Sequence, residues 1–456
     1  MRGSLATLST SITGSRLTAD AMFDSVSTDS RTAPAGALFV ALRGDTFDAH
    51  DFLEQVAARG VAGVVAERLP EGWTLPAIVV PDTLAALGQI ANSWRRQYGI
   101  PLIGVTGSNG KTTVKEMIAS ILAAAFGADE RLATQGNLNN EIGVPLTLMR
   151  LQAAHRAAVV ELGMNHPGEI KRLSAIAQPT VALVNNAQRE HQEFMHTVEA
   201  VALENGSVFT ALASDGVAVY PGDDTYTPIW QGLASHCRSL RFGLSDACDV
   251  RATYTASGFG NNLQIMTPAG PFAVTLAAAG EHNVRNALAA FACALAAGID
   301  GDTIVRGLES FAPVGGRLQS KQAANGALVI DDTYNANPDS MRAAIDVLAS
   351  YPAPRFLVIG DMGEVGAQGK EFTEEIGAYA QARGIERVLA TGDLSRHLAA
   401  TGAAYFEQFD ALLAALDKQL GGNSDATVLV KGSRFMKMER VVNHLIGSTN
   451  TGKDAH

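Results

Sequence analysis

The sequence predicts an α/β protein of three domains, in which strands and helices alternate and most strands run parallel. The first observation behind this prediction is the length of 456 residues, which is too great for one hydrophobic core. The second is that short apolar runs alternate with helical periodicity in the middle and last thirds of the chain. The third is a change to period-two alternation between residues 248 and 276, which predicts an antiparallel patch inside the middle domain.

Composition limits the classes of function. The 46 acidic and 35 basic residues give a net charge of −11, which argues against nucleic acid as the main partner. The three cysteines have no metal-ligand spacing, and the N-terminus lacks the apolar block of a secretion signal. Polar residues interrupt the alanine-rich segment 273–298, so membrane insertion is not expected. These observations predict a soluble protein of the reducing cytoplasm.

The first domain is predicted to be a small α/β unit that spans residues 1–81. A helix is expected at 51–59, and apolar runs predict strands at 37–42, 63–66 and 77–80. Asp82 follows a proline and suits a helix N-cap, so the domain boundary is placed before it.

The second domain is predicted to span residues 82–313 and the third to span residues 314–456. Alternating elements give the second domain a parallel sheet, with elements expected at 101–105, 112–126, 157–162, 167–177 and 180–185. Glycines at 315 and 316 mark the next boundary. The third domain is expected to be doubly wound and Rossmann-like, with strands at 327–331, 355–360, 386–390 and 427–431 and helices at 338–349, 370–383, 409–419 and 435–446.

The segment 104–113, Gly-Val-Thr-Gly-Ser-Asn-Gly-Lys-Thr-Thr, carries the strongest chemical signal. A predicted strand precedes it and a predicted helix follows it, a geometry that wraps backbone N–H groups around a phosphate. Lys111 would reach the terminal phosphates, and the Thr112 hydroxyl would bind Mg²⁺. A chance match at a helix cap is the alternative, but the flanking elements favour a P-loop-type nucleotide site. The predicted phosphate-binding residues are Gly107, Ser108, Asn109, Gly110, Lys111, Thr112 and Thr113.

Polar residues at other strand and helix ends extend this site. Glu161 ends a predicted strand, where its carboxylate would bind the Mg²⁺ of a nucleotide or, alternatively, cap a helix. His191 follows the next predicted strand, although a lone loop histidine is more often solvated than a metal ligand. Asn283 and Asn286 lie beside an alanine-rich helix, where their amides suit a base edge and helix capping equally well.

Three further signals fall in the third domain. Arg317 follows the Gly-Gly hinge, where its guanidinium would clamp a phosphate or form a surface salt bridge. The run 331–338, Asp-Asp-Thr-Tyr-Asn-Ala-Asn-Pro, ends a predicted strand and indicates a ligand site more than a plain turn. Lys431 ends the last predicted strand and is expected to be a free cation for an anionic ligand.

Taken together, these motifs resemble the ATP-dependent Mur ligases of peptidoglycan synthesis. The resemblance covers nearly the whole chain, on the segments 106–113, 161–163, 282–286, 316–317, His191 and Asp332. Within the family, the sequence is similar to the branch that joins D-alanyl-D-alanine to UDP-N-acetylmuramoyl-tripeptide. The segments that carry this finer similarity are 27–31, 39–52, 134–145, 331–341 and 358–364.

The resemblance implies an ADP-forming peptide ligase that uses ATP and Mg²⁺ and acts on those two small-molecule substrates as a monomer. It implies catalytic roles for Lys111, Glu161 and His191, and metal binding by Thr112, Glu161 and His191. It assigns the rest of the nucleotide to Asn283, Asn286, Arg317 and Asp332. The first domain would hold the UDP-muramoyl substrate and the last domain the dipeptide. The implied substrate-binding residues are Ser30, Arg31, Gly44, Asp45, His50, Asn137, Asn139, Asn140, Tyr334, Asn335, Asn337, Lys431, Ser433 and Arg434.

One position departs from the family pattern. Many relatives carry a carbamoylated lysine about fourteen residues after the metal-binding histidine, and Asn205 occupies that place here. Glu204 is the adjacent residue that could supply the missing negative charge.

Three alternatives remain at the level of sequence. A sister ligase that adds the third amino acid is disfavoured, because its Asp-Asn-Pro-Arg signature is missing and Asn335-Ala-Asn-Pro338 replaces that segment. A folate-polyglutamate ligase should lack the first 80 residues as they stand here. A non-catalytic nucleotide-dependent scaffold is disfavoured by the joint presence of Lys111, Thr112, Glu161 and His191.

Overall fold

The computed structural model describes residues 1–44, 46–190 and 192–447. The predicted roles of Asp45 and His191 therefore lie outside the described residues. The strands of the described part form three large sheets and one two-stranded ribbon.

The first large sheet lies within residues 16–79 and has five strands in the order β2-β7-β6-β5-β4. Strands β4 to β7 are parallel and β2 is antiparallel, whereas β1 and β3 form the separate ribbon. The strands are β1 (Gly3–Ser4), β2 (Arg16–Leu17), β3 (Met22–Phe23), β4 (Ser25–Ser27), β5 (Ala37–Val40), β6 (Gly63–Ala66) and β7 (Ala77–Val79). The helices are α1 (Leu5–Ser9), a 3-10 turn at Ala49–Phe52, α2 (Leu53–Ala58) and α3 (Thr83–Arg95).

The second sheet has nine strands in the order β16-β15-β14-β13-β12-β11-β8-β10-β9. Pairing is parallel from β9 to β14 and antiparallel from β14 to β16, as the change of sequence period predicted. The strands are β8 (Leu102–Thr106), β9 (Arg131–Ala133), β10 (Ala157–Glu161), β11 (Val181–Val184), β12 (Val217–Pro221), β13 (Arg238–Gly243), β14 (Val250–Ser257), β15 (Gly260–Thr267) and β16 (Gly270–Leu276).

Helices cover both faces of the central part of this sheet, where β8, β10, β11 and β12 are buried at every residue. Parallel strands that are buried on both faces are apolar throughout, which is why they appear as unbroken runs in the sequence. The helices are α4 (Lys111–Phe126), α5 (Gly143–Leu148), α6 (Glu169–Ala177), α7 (Gln192–Met195), α8 (Val198–Gly206), α9 (Thr227–Leu233), α10 (Glu281–Ala296) and α11 (Gly301–Glu309), with 3-10 turns at Ala128–Glu130 and Ser207–Ala211.

The third sheet has six strands in the order β17-β18-β22-β19-β20-β21, and only β17 runs antiparallel to its neighbour in this sheet of the described chain. The strands are β17 (Gln319–Gln322), β18 (Leu328–Asp332), β19 (Arg355–Ile359), β20 (Arg387–Ala390), β21 (Ala404–Tyr405) and β22 (Thr427–Lys431). The helices are α12 (Pro338–Ala349), α13 (Gly369–Ala382), α14 (Phe409–Leu420) and α15 (Glu439–Leu445), with 3-10 turns at Gly366–Gln368, Ser395–Thr401 and Arg434–Met436.

The predicted α/β class is confirmed, and every predicted strand of the three units has a counterpart within one or two residues of its bounds. Strands β12 and β13, which extend the parallel part of the second sheet, were not predicted from the sequence. The helix expected at 435–446 is shorter and occupies Glu439–Leu445. The division of the chain at residues 82 and 314 stays a prediction. No helix of the described residues has the length and apolarity needed to span a bilayer.

Candidate active site

A cavity of about 900 Å³ lies where the carboxyl ends of the second and third sheets face each other. Ligands of open α/β sheets bind at this edge, because the loops that follow parallel strands converge there. Eighteen of the residues selected from the sequence line the cavity: Ser108, Asn109, Gly110, Lys111, Thr112, Thr113, Asn137, Asn139, Asn140, Glu161, Asn283, Asn286, Arg317, Asp332, Tyr334, Asn335, Asn337 and Lys431. The structure therefore brings together residues that lie more than 300 positions apart in the chain.

Seven described residues of the predicted site do not line this cavity. They are Ser30, Arg31, Gly44 and His50 of the first unit, Gly107 of the loop, and Ser433 and Arg434 near the end of the chain. Asp45 and His191 are not described.

The loop between β8 and α4 takes the backbone form that close approach to a ligand requires. Gly107 and Gly110 have φ values of 132° and 82°, which L-residues with side chains rarely adopt. A Cβ atom on Gly110 would lie 2.5 Å from Oδ1 of Asn286, so the loop packs directly against α10. Gly110 immediately precedes α4, and the free N–H groups of the first helical turn therefore face the cavity.

Lys111 folds back over this loop. Its Nζ donates to the carbonyl oxygens of Gly107 at 2.6 Å and Ser108 at 3.1 Å, and it lies 3.3 Å from Oε2 of Glu190. The side chain is 16% exposed, so the charge lies at the cavity wall rather than in bulk solvent. A cation in this position is aligned with the N-terminus of α4 and strengthens its attraction for anions.

The segment after β11 braces the phosphate loop from the side. The side chains of Asn185 and Asn186 both donate to the carbonyl oxygen of Asn109, at 2.8 and 2.9 Å. Gln188 accepts a hydrogen bond from the Asn109 amide at 2.6 Å, and its backbone N–H donates to the Ser108 hydroxyl at 2.8 Å. The loop is therefore held by amides that belong to the next strand of the sheet.

The two asparagines of α10 are buried and contact the protein itself. Asn286 accepts from the Asn185 side chain at 2.9 Å and donates to Oδ1 of Asn283 at 3.0 Å. Asn283 donates to the carbonyl oxygen of Ala279 at 2.8 Å. Both residues line the cavity and present polar atoms to it. Asn286 also supports the phosphate loop through its hydrogen bond with Asn185. The neighbouring His282 also lines the cavity, and burial lowers its pKa.

Glu161 ends β10 and has one satisfied and one unsatisfied carboxylate oxygen. Oε1 accepts from the Asn139 side chain at 2.8 Å. Within the described part of the chain, the buried Oε2 atom has no hydrogen-bond partner. A buried carboxylate oxygen without a donor is costly unless a cation or a ligand binds it. The helix-cap alternative does not account for this oxygen.

A magnesium ion fits this donor set. Mg²⁺ prefers oxygen ligands and is commonly bound through one or two carboxylates together with substrate phosphates. Glu161 provides such an oxygen, and the Thr112 hydroxyl lines the same cavity. Residues 1–44, 46–190 and 192–447 contain no group of three His, Cys, Asp or Glu side chains placed to hold a metal.

Lys431 is not the free cation that the sequence predicted. Its Nζ donates to Oδ2 of Asp332 at 2.6 Å and to the carbonyl oxygen of Asn335 at 2.8 Å. The two residues are in register on the neighbouring parallel strands β18 and β22, and a single sequence does not reveal this register. The ion pair is buried, with side-chain exposures of 4% for Lys431 and 13% for Asp332.

Arg317 lies over the ring of Tyr334, with its guanidinium carbon 4.1 Å from the ring centroid. In the described structure its buried Nε has no hydrogen-bond partner, so the guanidinium keeps donor capacity at the cavity wall. The surface salt bridge considered as an alternative is not among the ion pairs of the described residues. Stacking fixes the plane of the guanidinium, which favours the recognition of planar or tetrahedral oxyanions.

The predicted residues of the first unit are separate from this cavity. His50 is buried: its Nδ1 lies 2.6 Å from Oδ1 of Asp48, and its Nε2 accepts from the backbone N–H of Glu67 at 2.8 Å. Arg31 is 84% exposed and pairs with Asp29, and its hydrogen bonds lower the pKa of that carboxyl to about 2. His50 therefore ties its own 3-10 turn to the residue that follows β6, whereas the Arg31 side chain faces solvent.

Asn205, at the place of the carbamoylated lysine, is fully buried in α8. Its Oδ1 accepts from the Thr106 hydroxyl at 2.7 Å, which ties α8 to the end of β8. The carboxylate of Glu204 instead accepts from the backbone N–H groups of Gly168 and Ile170, both at 2.8 Å. Glu204 therefore stabilises the start of α6 and does not replace the charge of a carbamate.

Arg189, which links the second and third sheets, was not predicted from the sequence as a functional residue. Its guanidinium donates to Asp339 at 2.7 Å and to Glu375 at 2.7 Å, and its backbone N–H donates to Asp339 at 2.8 Å. Hydrogen bonds from Arg189 and Arg342 hold the pKa of Glu375 below its ordinary value. The partners are 150 and 186 residues away, so no local pattern could have indicated them.

Three family models match in chain order: "Mur ligase family, catalytic domain" at residues 23–95, "Mur ligase middle domain" at 105–294 and "Mur ligase, glutamate ligase domain" at 316–434. The UDP-N-acetylmuramoyl-tripeptide–D-alanyl-D-alanine ligase of Escherichia coli K12 is 40% identical over 97% of this chain and 98% of its own length. The chain belongs to the Mur ligase family.

Other relatives and solved structures of the family are also similar to this Mur ligase over nearly its whole length. The ligase of the same name from Bacillus subtilis 168 is 35% identical over 93% of both chains. The crystal structure of MurF from Acinetobacter baumannii superposes with a TM-score of 0.92, at 36% identity over 98% of this chain and 99% of that one. MurF from Thermotoga maritima in complex with ADP has a TM-score of 0.83, at 26% identity over 93% and 97%. The resemblance inferred from the sequence is therefore confirmed at the level of the family.

Proposed function

We propose that this Mur ligase uses ATP to join D-alanyl-D-alanine to UDP-N-acetylmuramoyl-tripeptide, releasing ADP and phosphate. The names of the relatives at 40% and 35% identity support the reaction, and they align with nearly the whole chain. One structural observation carries the proposal. The phosphate loop, the unpartnered oxygen of Glu161 and the polar strand ends of the third sheet line one cavity.

The chemistry follows from the poor reactivity of a carboxylate toward amines. The terminal carboxylate of the tripeptide attacks the γ-phosphorus of ATP, which forms an acyl phosphate and releases ADP. The amine of D-alanyl-D-alanine then attacks the acyl carbon, inorganic phosphate leaves, and the amine gives up one proton. Both steps concentrate negative charge on phosphoryl or acyl oxygens, so preorganised donors are the main contribution the protein can make.

Lys111 and the loop amides are placed for that contribution. Lys111 lies at the loop carbonyls, from where its flexible side chain would reach a terminal phosphate. The N–H groups at the start of α4 bind phosphate oxygens without any reorganisation. Glu190 balances the Lys111 charge and keeps its Nζ at the cavity wall.

Mg²⁺ would be held by Thr112, Glu161 and His191, where it would neutralise charge on the phosphate oxygens. The unpartnered Oε2 of Glu161 supports this assignment, and the Asn139 hydrogen bond on Oε1 orients the carboxylate. Arg317, Asp332, Asn283 and Asn286 would position the rest of the nucleotide, and the free Nε of Arg317 in the described chain supports a phosphate contact.

The three units divide the substrates between them in this proposal. Residues 1–81 would bind the UDP-muramoyl end, 82–313 the ATP, and 314–456 the incoming dipeptide. The polar cluster of Tyr334, Asn335 and Asn337 lines the cavity on the side of the third unit. We expect a monomer that works in the cytoplasm, where ATP is available.

The decisive experiment offers the purified protein ATP, D-alanyl-D-alanine and a UDP-muramoyl tripeptide with either diaminopimelate or lysine at the third position. Product mass identifies both the reaction and the preferred tripeptide. A Lys111→Ala variant should retain the fold and lose ADP formation, which circular dichroism and a coupled ADP assay would measure. ADP release only with UDP-muramoyl dipeptide and a free amino acid, offered in a parallel reaction, would indicate the sister ligase, and absence of ADP release with every substrate set would favour a scaffold.

A further inference from the structure

Arg189 lies between two residues that hold the phosphate loop. Gln188 bonds to Ser108 and Asn109, and Glu190 lies 3.3 Å from Nζ of Lys111. Consecutive Cα atoms are only about 3.8 Å apart, so a displacement of Arg189 moves both of its neighbours. The Arg189 side chain itself points to the third sheet and contacts α12 and α13.

The contact with α12 and α13 has the form of an oriented clamp. Nη2 donates to Oδ1 of Asp339 and Nη1 donates to Oε2 of Glu375, both at 2.7 Å. The guanidinium carbon is also 5.2 Å from the ring centroid of Phe372. A planar guanidinium between two carboxylates fixes the orientation of the two helices relative to the β11 loop as well as their distance from it. A lysine ammonium cannot fix an orientation in this way.

A second contact lies close to the first and comes from the phosphate loop itself. The Asn337 amide donates to Oδ1 of Asn109 at 2.8 Å, and Asn337 also forms the N-terminal capping box of α12. Asp339 belongs to the first turn of the same helix. The phosphate loop and the β11 loop therefore both bind the N-terminus of α12.

We propose that Arg189 is a positioning residue that couples docking of the third unit to the geometry of the phosphate loop. The inference rests on the proposed function for the reaction that it affects. The groups that bind the dipeptide and the loop that holds the phosphates lie on different units, and attack requires the reacting atoms to align. A misplacement of about 1 Å costs about 100-fold in rate, so the clamp sets the turnover rather than the affinity for ATP.

The simpler account is an ordinary salt bridge that stabilises the fold. Side-chain exposures of 20% for Arg189, 23% for Asp339 and 34% for Glu375 place the network at a partly buried interface between units. The two accounts differ in kinetics. A purely stabilising bridge would change the melting temperature and leave kcat unchanged, whereas a clamp that aligns two units changes kcat at saturating substrates.

The test compares Arg189→Gln with Arg383→Gln in the full-length protein. Arg383 is a matched control, because it lies 2.7 Å from Asp346 and joins α12 to α13 entirely within the third unit. The measurements are the radius of gyration in solution without ligands, the melting temperature, and initial rates of ADP release with saturating tripeptide substrate and dipeptide.

For Arg189→Gln we expect a larger radius of gyration, a kcat lowered by about 100-fold and an unchanged KM for ATP. Arg189→Lys should recover part of the rate, because it restores the charge without the fork. In the Arg189→Gln/Glu375→Gln double variant the loss of kcat should be no greater than in Arg189→Gln alone. The Arg189–Glu375 contact is already broken, and the other partner of Glu375, Arg342, belongs to α12 of the same unit. Arg383→Gln should retain the wild-type kcat and lower the melting temperature by a smaller amount, because its ion pair is more exposed, at 46% for Arg383 and 43% for Asp346.

A wild-type kcat in Arg189→Gln would overturn the proposal, whatever the radius of gyration. A lowered kcat with an unchanged radius would also overturn it, because the effect would then be local to the loop. A wild-type protein that releases no ADP would refute the proposed function instead. The solution radius of Arg189→Gln would still decide whether this arginine docks the third unit.

Discussion

Lys431 and Asp332 form a buried ion pair between neighbouring parallel strands, with 2.6 Å between Nζ and Oδ2. Their Cα positions are partners in the register of β18 and β22, at the edge of the sheet that faces the cavity. Leu318 donates its backbone N–H to the other carboxylate oxygen at 3.1 Å. The pair therefore joins two strands and the start of the third unit.

Removing the Lys431 charge should destabilise the third unit. We expect Lys431→Met to lower the free energy of unfolding by about 3 to 5 kcal/mol, because Asp332 would remain buried without a countercharge. The double variant Lys431→Met/Asp332→Asn should recover a large part of that loss. Calorimetric melting of the three proteins at neutral pH measures both effects. A single variant as stable as the wild type would contradict this account.

For Lys431, the position in the fold could be predicted from the sequence, but its ion-pair partner could not. Its position at the end of an apolar strand was predictable, because strands of a parallel sheet that are buried on both faces appear as continuous apolar runs. Its partner was not, because Asp332 is 99 positions away and only the strand order brings the two together. The sequence thus predicts that a charged residue lies at the end of a strand, whereas its partner depends on which strands are neighbours and on their register.

The same distinction explains the rest of the site. The phosphate loop was predictable, since strand, glycine-rich turn and helix are contiguous in sequence. Arg189 was not, because its partners lie on two helices of another unit. Strands β12 and β13 were missed because Val217–Pro221 ends in proline, and Arg238–Gly243 carries two arginines that mask its apolar residues.

Glu161→Gln should separate metal binding from folding. The substitution preserves the shape. With the amide oxygen kept as the acceptor for Asn139, the NH₂ group takes the place of the unpartnered oxygen, where it cannot bind a cation. We expect ADP release to fall by about 100-fold or more and the Mg²⁺ concentration for half-maximal rate to rise. Magnesium titrations of the initial rate measure both quantities. An unchanged magnesium dependence would remove Glu161 from the metal site.

Gly110→Ala should disable the phosphate loop through its backbone. The residue has a φ of 82°, and an added Cβ would lie 2.5 Å from Oδ1 of Asn286 and 2.7 Å from Nδ2 of Asn185. Both amides would have to move, so ATP binding measured by calorimetry should weaken strongly.

Gly232→Ala is the matched control for that substitution. Gly232 lies within α9, and a Cβ there meets no atom within 4 Å. This change should stabilise the protein by about 0.5 to 1 kcal/mol and leave ATP binding unchanged. If both variants bind ATP as the wild type does, the loop does not need its glycine at position 110.

The ion pair of Arg355 with Glu386 should make stability depend on acidic pH. Hydrogen bonds from Arg355 lower the pKa of Glu386 from 4.5 to about 2. A carboxyl whose pKa is lowered by folding stabilises the folded state at pH values above its ordinary pKa. This stabilisation is lost as the pH falls from 4.5 towards 2. The melting temperature of Glu386→Gln should therefore lie below that of the wild type at pH 6, and the difference should shrink at pH 3. An equal difference at both values would exclude this ion pair as the cause.

The three cysteines should differ sharply in their reactivity toward a thiol reagent. Cys293 is fully buried in α10, and burial raises its pKa, so the thiolate that reacts is disfavoured. Cys248 is also buried. Cys237 is only half-buried, although burial raises its pKa as well. We expect one thiol to react in the native protein, at a rate that increases with pH as the thiolate forms, and three to react after unfolding in denaturant. Cys237→Ser should abolish the native reaction. A second reactive thiol in the folded state would contradict this expectation: a reaction at Cys293 would show that α10 opens to solvent, and one at Cys248 that the segment before β14 does.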